Sequence, residues 1–224
     1  MGKWSCRAGL TGRNQIFTLV FDLDGTLIDS APSILDAFAA ALHEAGIAAH
    51  VPLDSNLIGP PLAETLTRIS GSKDAALVRV LAENFKRHYD TAGVISTGAY
   101  PGVDEMLDRF AAAGAAMHIC TNKRLSVSRA ILEHLGWKDR FVSVYALDMV
   151  EPRLDGKADL LAKQLDEQKL APAHVRYIGD KREDGAAADA NNLAFYYASW
   201  GYGDLVRGKL DTGWKWLSQP SDFL

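Results

Sequence analysis

The feature that most constrains the fold is an alternation of short apolar runs with longer amphipathic stretches after residue 100. Helical spacing over 103–110, 127–135 and 157–168 alternates with strand-like runs, which are Ala116–Cys120, Phe141–Leu147, Val175–Ile178 and Ala194–Ala198. Strands that alternate with helices in this way form βαβ units around a buried parallel sheet. The sequence therefore predicts an α/β fold.

An earlier apolar run, Ile16–Phe21, predicts a further buried strand, and the chain changes character after it. Between Ser30 and about Ser96 the apolar residues follow helical spacing only, as in the stripe Ile34, Phe38 and Leu42. We therefore expect residues 1–29 and 97–224 to form a Rossmann-like core with a doubly wound parallel sheet. Residues 30–96 are expected to form an inserted, all-helical domain over the carboxyl edge of that sheet.

Polar, reactive residues follow three of the predicted strands. They are Asp22 and Asp24 after the first, Thr121 and Asn122 after the run that ends at Cys120, and Asp180 after Gly179. The carboxyl ends of parallel strands meet at one edge, and Lys157, which opens a predicted helix, can join them there. Clustered carboxylates require a cation, and hard oxygen ligands select magnesium. The sequence thus predicts a Mg²⁺ site that binds a phosphate.

The pattern also predicts separate roles for the residues after the first strand. Asp22 can attack phosphorus as a nucleophile. Asp24 points the same way in an extended segment, so its carboxyl can act as general acid toward the leaving oxygen. Gly25 allows a sharp turn that Thr26 fixes by hydrogen bonding, while Thr121 hydrogen-bonds phosphate oxygens.

Composition excludes several classes of partner. The formal net charge is −4 and the pI is about 5.9, so no positive field would hold nucleic acid or an acidic membrane. No apolar run approaches the roughly 20 residues that cross a bilayer, and Met1–Asn14 lacks the apolar stretch of a signal peptide. Cys6 and Cys120 belong to no metal-type cluster. A cytoplasmic protein is predicted.

Taken in order, these residues resemble the motifs of the haloacid dehalogenase superfamily of phosphotransferases. The matching segments are Asp22–Ser30, Thr121–Lys123, Lys157 and Gly179–Asp184, the last reading G-D-x-x-x-D. The resemblance implies Asp22 as nucleophile and Asp24 as acid/base. It also implies that Asp22, the Asp24 carbonyl and Asp180 bind Mg²⁺, that Asp184 supports them, and that a helical (C1-type) cap follows the first motif.

Three further segments resemble the phosphoglycolate phosphatases and their relatives: Ile58–Leu62, Tyr100–Val103 and Trp200–Gly203. The resemblance implies Mg²⁺-dependent hydrolysis of a small phosphomonoester, with 2-phosphoglycolate the first candidate and a nucleoside monophosphate the second. It implies that Gly25, Thr26, Asn122 and Lys157 contact the phosphate. Lys157 is followed by Ala-Asp rather than by the family's K-P-x-P pattern, Lys181 replaces a Thr or Ser, and Asn191-Asn192 replace an Ala-Gly. These departures leave the substrate open.

Other functions fit parts of the pattern. A 5′-nucleotidase, a sugar-phosphate phosphatase or a phosphomutase would use the same residues, and a phospho-accepting receiver module shares an acidic pair, a strand-end Thr and a Lys. In the helical segment, Arg68, Lys86, Arg87 and Tyr89 are candidates for contacting a distal group of the substrate. The sequence does not distinguish a monomer from a homodimer.

Overall fold

A computed structural model describes residues 17–151 and 154–223 of the chain. The expectation that no signal peptide occurs in Met1–Asn14 lies outside the described residues, as do Cys6 and Ile16. In the described ranges, no helix combines the length and the apolarity that crossing a bilayer requires.

The core of the molecule is a six-stranded parallel sheet with the strand order β5-β4-β1-β6-β7-β8. In chain order, the strands of the molecule are β1 (Thr18–Phe21), β2 (Ile28–Asp29), β3 (Gly98–Ala99), β4 (Met117–Thr121), β5 (Ser143–Ala146), β6 (Val175–Gly179), β7 (Ala194–Ala198) and β8 (Lys215–Leu217). Of these, β2 and β3 form a separate two-stranded sheet. The predicted parallel α/β sheet is confirmed. The edge strand β8 was not predicted from the sequence.

Helices cover both faces of this sheet. In chain order, the helices of the molecule are α1 (Ala31–Glu44), α2 (Leu62–Ser70), α3 (Ala75–His88), α4 (Val94–Ser96), α5 (Val103–Ala112), α6 (Leu125–His134), α7 (Lys157–Glu167) and α8 (Arg182–Ala190). Helices α5 to α8 pack on the sheet, whereas α1 to α4 belong to residues 30–96. Alternate residues of β1 point to opposite faces, so Leu19 and Phe21 pack in one hydrophobic cluster and Val20 in the other. All three are buried, as expected for the centre of a doubly covered parallel sheet.

The helical segment, residues 30–96, leaves and rejoins the core at one point. The short strands β2 and β3 pair antiparallel there, with Ile28 opposite Ala99 and Asp29 opposite Gly98. Within the segment α1 packs on α3, and the rings of Phe38 and Phe85 lie 4.7 Å apart between centroids. A π-helical turn, Tyr89–Gly93, follows α3 directly. The division of the chain into a core and a separate cap domain remains a prediction.

Candidate active site

Three aspartates meet at the carboxyl edge of the sheet. Asp22 follows β1 and Asp180 follows the neighbouring strand β6, while Asp184 lies in the first turn of α8. One carboxylate oxygen from each lies within 4.8 Å of the others, and all three residues are buried. Because buried like charges repel strongly, this cluster needs positive charge close by.

Lys157, the first residue of α7, supplies part of that charge. Its Nζ lies 2.9 Å from Asp22 Oδ1 and 2.6 Å from Asp184 Oδ1, and only 4% of its side chain is exposed. Burial would lower the pKa of Lys157, but the attraction of Asp184 and Asp22 outweighs it and raises that pKa well above its usual range. Lys157 is therefore charged.

One ammonium does not balance three carboxylates. Burial raises the pKa of Asp22 well above its usual value, and Lys157 opposes that shift only in part. Among the described residues, no hydrogen-bond donor is aligned with the buried Asp22 Oδ1, although Lys157 lies at ion-pair distance from it. An oxygen-rich, buried and under-compensated cluster fits a hard divalent cation such as Mg²⁺.

Asp180 is held by one backbone and one side-chain hydrogen bond, and Gly25 packs closely against it. Its Oδ2 accepts a 2.8 Å hydrogen bond from the Tyr202 amide, and Thr26 Oγ1 donates to its Oδ1 at 3.3 Å. Gly25 has φ +85°, and a Cβ at this position would lie 2.2 Å from Asp180 Oδ2. Burial and the nearby Asp184 raise the pKa of Asp180 to about 7. Gly25 is thus required both by its backbone conformation and by the approach of Asp180.

The carboxylate of Asp24 lies outside this cluster. Lys123 Nζ donates to its two oxygens at 2.9 and 3.2 Å, and Ser30 Oγ donates to Oδ1. Lys123 also donates to Tyr89 Oη at 2.7 Å, from the π-helical turn of the helical segment. Burial alone would lower the pKa of Lys123, but Asp24 and Tyr89 together raise it. The carboxyl that the sequence predicts to act as acid/base is therefore fixed by a buried lysine.

The sequence predicts no separate role for Lys123, although this residue belongs to the Thr121–Lys123 motif. The signal available was a lysine two positions beyond Thr121, the last residue of β4. The sequence predicts Tyr89 only as a contact for a distal substrate group.

Thr121 and Asn122 occupy the edge beside Asp22. Thr121 ends β4, is fully buried, and its Oγ1 accepts a hydrogen bond from the Lys123 amide at 3.2 Å. Asn122 Nδ2 donates to the Gly59 carbonyl at 3.1 Å and to the Glu183 carboxylate at 3.3 Å. The Gly59 contact joins the helical segment directly to the sheet edge.

The residues that depart from the motif pattern have local structural partners. Lys181 donates from Nζ to the Tyr202 carbonyl at 2.8 Å, while its amide bonds Asp184 Oδ2 at 2.9 Å. Asn191 donates to the Ala158 carbonyl at 3.0 Å, and Asn192 has φ 57° in the turn before β7. Lys181 therefore braces the loop that carries Tyr202.

Part of the predicted site lines one cavity of about 420 Å³, whose lining also includes residues of the helical segment. Asp22, Asp24, Thr121, Asn122 and Lys157 all line it. Gly25, Thr26, Asp180 and Asp184 are not among its lining residues. The cavity thus brings the nucleophile, acid/base and phosphate-binding candidates to a common space.

Two of the four candidates for contacting a distal group, Lys86 and Tyr89, also line this cavity. Arg68 and Arg87 are not among its lining residues, and Arg87 pairs instead with Glu44 at 2.7 Å.

Comparison with known proteins decides the family. The family model described as haloacid dehalogenase-like hydrolase matches residues 19–198. The chain belongs to the haloacid dehalogenase-like hydrolases. The resemblance seen in the sequence motifs is confirmed, and the match spans the helical segment as well as most of the sheet.

Two curated relatives of this haloacid dehalogenase-like chain carry different names. It is 32% identical over 188 residues to tyrosine-protein kinase PtkA of Mycobacterium tuberculosis, covering 83% of this chain and 62% of that protein. It is 31% identical over 189 residues to phosphoglycolate phosphatase of Cereibacter sphaeroides, covering 82% of this chain and 85% of that protein. The chain therefore spans less than two thirds of the first relative.

A solved structure supports the fold of this haloacid dehalogenase-like hydrolase. It is a Haemophilus somnus protein described as a predicted phosphoglycolate phosphatase, with a TM-score of 0.81 and 20% identity. The superposition covers 94% of this chain and 97% of the other.

Proposed function

We propose that this hydrolase is a Mg²⁺-dependent phosphatase that cleaves small phosphomonoesters through an aspartyl-phosphate on Asp22. The observation that carries the proposal is the position of Asp22 on the floor of a cavity, beside Lys157 and close to the carboxylates of Asp180 and Asp184. A nucleophile beside charged metal ligands and a lysine matches the needs of phosphoryl transfer, where positioning and charge neutralisation dominate.

The metal would be held by carboxylate oxygens of Asp22, Asp180 and Asp184, with the Asp24 carbonyl as the family resemblance implies. When bound, Mg²⁺ neutralises phosphate oxygens and reduces their repulsion toward the attacking carboxylate. Lys157 would orient Asp22 and add a second positive charge, and Thr121 and Asn122, which line the same cavity, would hydrogen-bond phosphate oxygens.

The chemistry then needs two proton transfers by Asp24. Asp22 attacks phosphorus, the bond to the leaving oxygen breaks, and Asp24 donates its proton to that oxygen so that an alcohol leaves. In the second step Asp24 takes a proton from water, whose oxygen attacks the phosphorus of the aspartyl-phosphate. The Asp22 carboxylate is regenerated and inorganic phosphate is released.

The named relatives suggest substrates to test first. The Cereibacter relative makes 2-phosphoglycolate the first candidate, and a nucleoside monophosphate is the second. A cytoplasmic location belongs to the same proposal.

The test is phosphate release from a panel of phosphomonoesters, with and without Mg²⁺. We expect Mg²⁺-dependent release that Asp22→Asn abolishes and that Asp24→Asn lowers by on the order of 10² to 10⁴. Asp36→Asn, an exposed aspartate of α1, is the matched control and should retain full activity. Near-normal rates in either site variant would overturn the role given to that residue.

Three arms of the panel separate the alternatives. Interconversion of sugar-phosphate isomers without phosphate release would identify a phosphomutase, and a stable phosphoenzyme without turnover would identify a receiver module. ATP with a tyrosine-containing peptide is included because of the PtkA relative. Phosphorylation of that peptide without phosphomonoester hydrolysis would contradict the phosphatase proposal.

A further inference from the structure

The cavity above Asp22 has two different surfaces. Its floor is charged and polar, whereas the surface contributed by the helical segment is largely apolar. The apolar lining comes from separate elements of that segment and includes Ile34, Phe38, Leu57, Ile58, Leu62 and Phe85. Because these side chains lie opposite the charged floor, the part of a substrate that extends away from the phosphate meets them.

An aromatic row links this apolar surface to the acid/base candidate. The rings of Phe38 and Phe85 lie 4.7 Å apart at 31°, and those of Phe85 and Tyr89 lie 5.4 Å apart and stack at 19°. Tyr89 contacts Lys123, which in turn holds Asp24. A leaving group that receives its proton from Asp24 therefore faces aromatic side chains.

The same surface offers few positive charges to a second anionic group of the substrate, such as a carboxylate in addition to the phosphate. Of the four lysines and arginines that line the core side, three have anionic partners, since Lys157 pairs with Asp22, Lys123 with Asp24 and Arg124 with Asp90. The fourth, Lys181, donates its Nζ to the Tyr202 carbonyl. Lys86 is the only lysine or arginine that the helical segment contributes among the described lining residues, and it is solvent-exposed.

The two buried hydroxyls on this surface also have partners, since Tyr89 Oη accepts a hydrogen bond from Lys123. Thr65 Oγ1 donates to the Leu57 carbonyl at 3.4 Å. A carboxylate placed against the apolar side chains of these walls would lose water without gaining a hydrogen bond there, which is costly.

We infer that the preferred substrate is a small phosphomonoester whose leaving alcohol carries an apolar, aromatic-sized group. The inference rests on the proposed phosphatase activity and names the substrate class for that site. A cavity of about 420 Å³ is far larger than a glycolate leaving group requires. Because the Gly59 loop lies on Asn122 and covers the sheet edge, the site suits a small molecule better than a protein-borne phosphate.

The test compares kcat/KM for 3-phenylpropyl phosphate and propyl phosphate on the full chain with Mg²⁺. Both are esters of unactivated primary alcohols, so a rate difference reports binding of the ring rather than leaving-group acidity. Burial of the ring should raise kcat/KM by on the order of 10- to 100-fold. The panel also contains 2-phosphoglycolate and a phosphotyrosine peptide.

Matched variants locate the effect. Leu62→Gln keeps the size of a half-buried lining residue but makes it polar, and should lower the ratio of the two kcat/KM values about 5- to 10-fold. Val80→Gln makes the same kind of change at an exposed residue of α3 that is not among the lining residues. It should leave the ratio and both rates unchanged, and thermal melting of each variant verifies folding.

The outcomes separate this inference from the proposed function. Equal kcat/KM for the phenylpropyl and propyl esters, or the highest value for 2-phosphoglycolate, would overturn the inference and leave the phosphatase intact. The highest value for the phosphotyrosine peptide would overturn the small-molecule assignment. Absence of release from every ester, by folded protein with Mg²⁺, would instead overturn the proposed function.

Discussion

Replacing Lys123 by Met should destabilise the protein strongly, because it leaves a buried carboxylate without its counter-ion. Lys123 Nζ lies 2.9 Å from Asp24 Oδ1, and only 6% and 13% of the two side chains are exposed. Methionine has a similar length and an apolar end, so the substitution removes the charge without opening a large cavity.

The magnitude follows from this geometry. At the observed separation and an effective dielectric constant of about 20, the direct attraction is about 6 kcal/mol before desolvation is subtracted. Removing one partner of a buried pair costs about 3–5 kcal/mol. Ser30 still donates to Asp24, and some water reaches this carboxylate, so we expect the lower end, about 3 kcal/mol.

Urea unfolding of the wild type, Lys123→Met, Asp24→Asn and the double variant measures this effect as a double-mutant cycle. In the double variant no charge remains uncompensated, so its loss should be smaller than the sum of the single losses by about 2 kcal/mol. Lys138→Met is the control, because Lys138 pairs with Glu133 on the surface, and its loss should stay below about 1 kcal/mol.

Two results would refute the reasoning. Additive losses in the cycle would mean that Lys123 and Asp24 do not interact energetically. A loss for Lys123→Met no larger than that for Lys138→Met would mean that Asp24 needs no buried counter-ion.

Two further predictions concern pH and metal. Burial lowers the pKa of His118 from 6.5 to about 4, so the unfolded chain takes up this proton first and stability falls as pH drops from 6.5 to 4. In His118→Leu, the loss in free energy of unfolding over this pH range should be smaller by about 3 kcal/mol. Urea unfolding measures this loss, and equal losses in the wild type and the variant would contradict the prediction. Mg²⁺ at about 100 times its Kd should raise the free energy of unfolding by about 2.7 kcal/mol. Thermal melting with and without Mg²⁺ should show no stabilisation of Asp180→Asn but full stabilisation of Asp211→Asn. Equal stabilisation of the two variants would contradict the metal site.

The parallel sheet could be predicted because its strands are short, continuous apolar runs separated by helical periodicity. The carboxyl ends of β1, β4 and β6 are adjacent in the sheet, so strand-end residues such as Asp22, Thr121 and Asp180 meet without any knowledge of loop paths. For the same reason the acidic cluster could be predicted from the sequence.

The short elements were not predictable in this way. Strands β2 and β3 have two residues each, too few to show alternation, and β8 has three. Their pairing is a consequence of where the helical segment begins and ends and of how the final residues return to the sheet.

The contacts between the helical segment and the core were also beyond the sequence. Tyr89 reaches Lys123 because a π-helical turn extends α3, and Gly59 reaches Asn122 through a loop. Periodicity reports which face of a helix is buried but not which distant side chain it meets. The sequence therefore predicted Asp24 as acid/base without identifying the residues that hold it.

The central claim is that Asp22 carries the phosphoryl group during turnover. The most direct measurement is acid quenching of the enzyme during steady-state hydrolysis, followed by proteolysis and mass spectrometry of the peptides. The account predicts one phosphoryl group on the peptide that contains Asp22, at the aspartate itself, and none in Asp22→Asn. Rapid turnover with no phosphorylated peptide, or with the phosphoryl group on another residue, would contradict it.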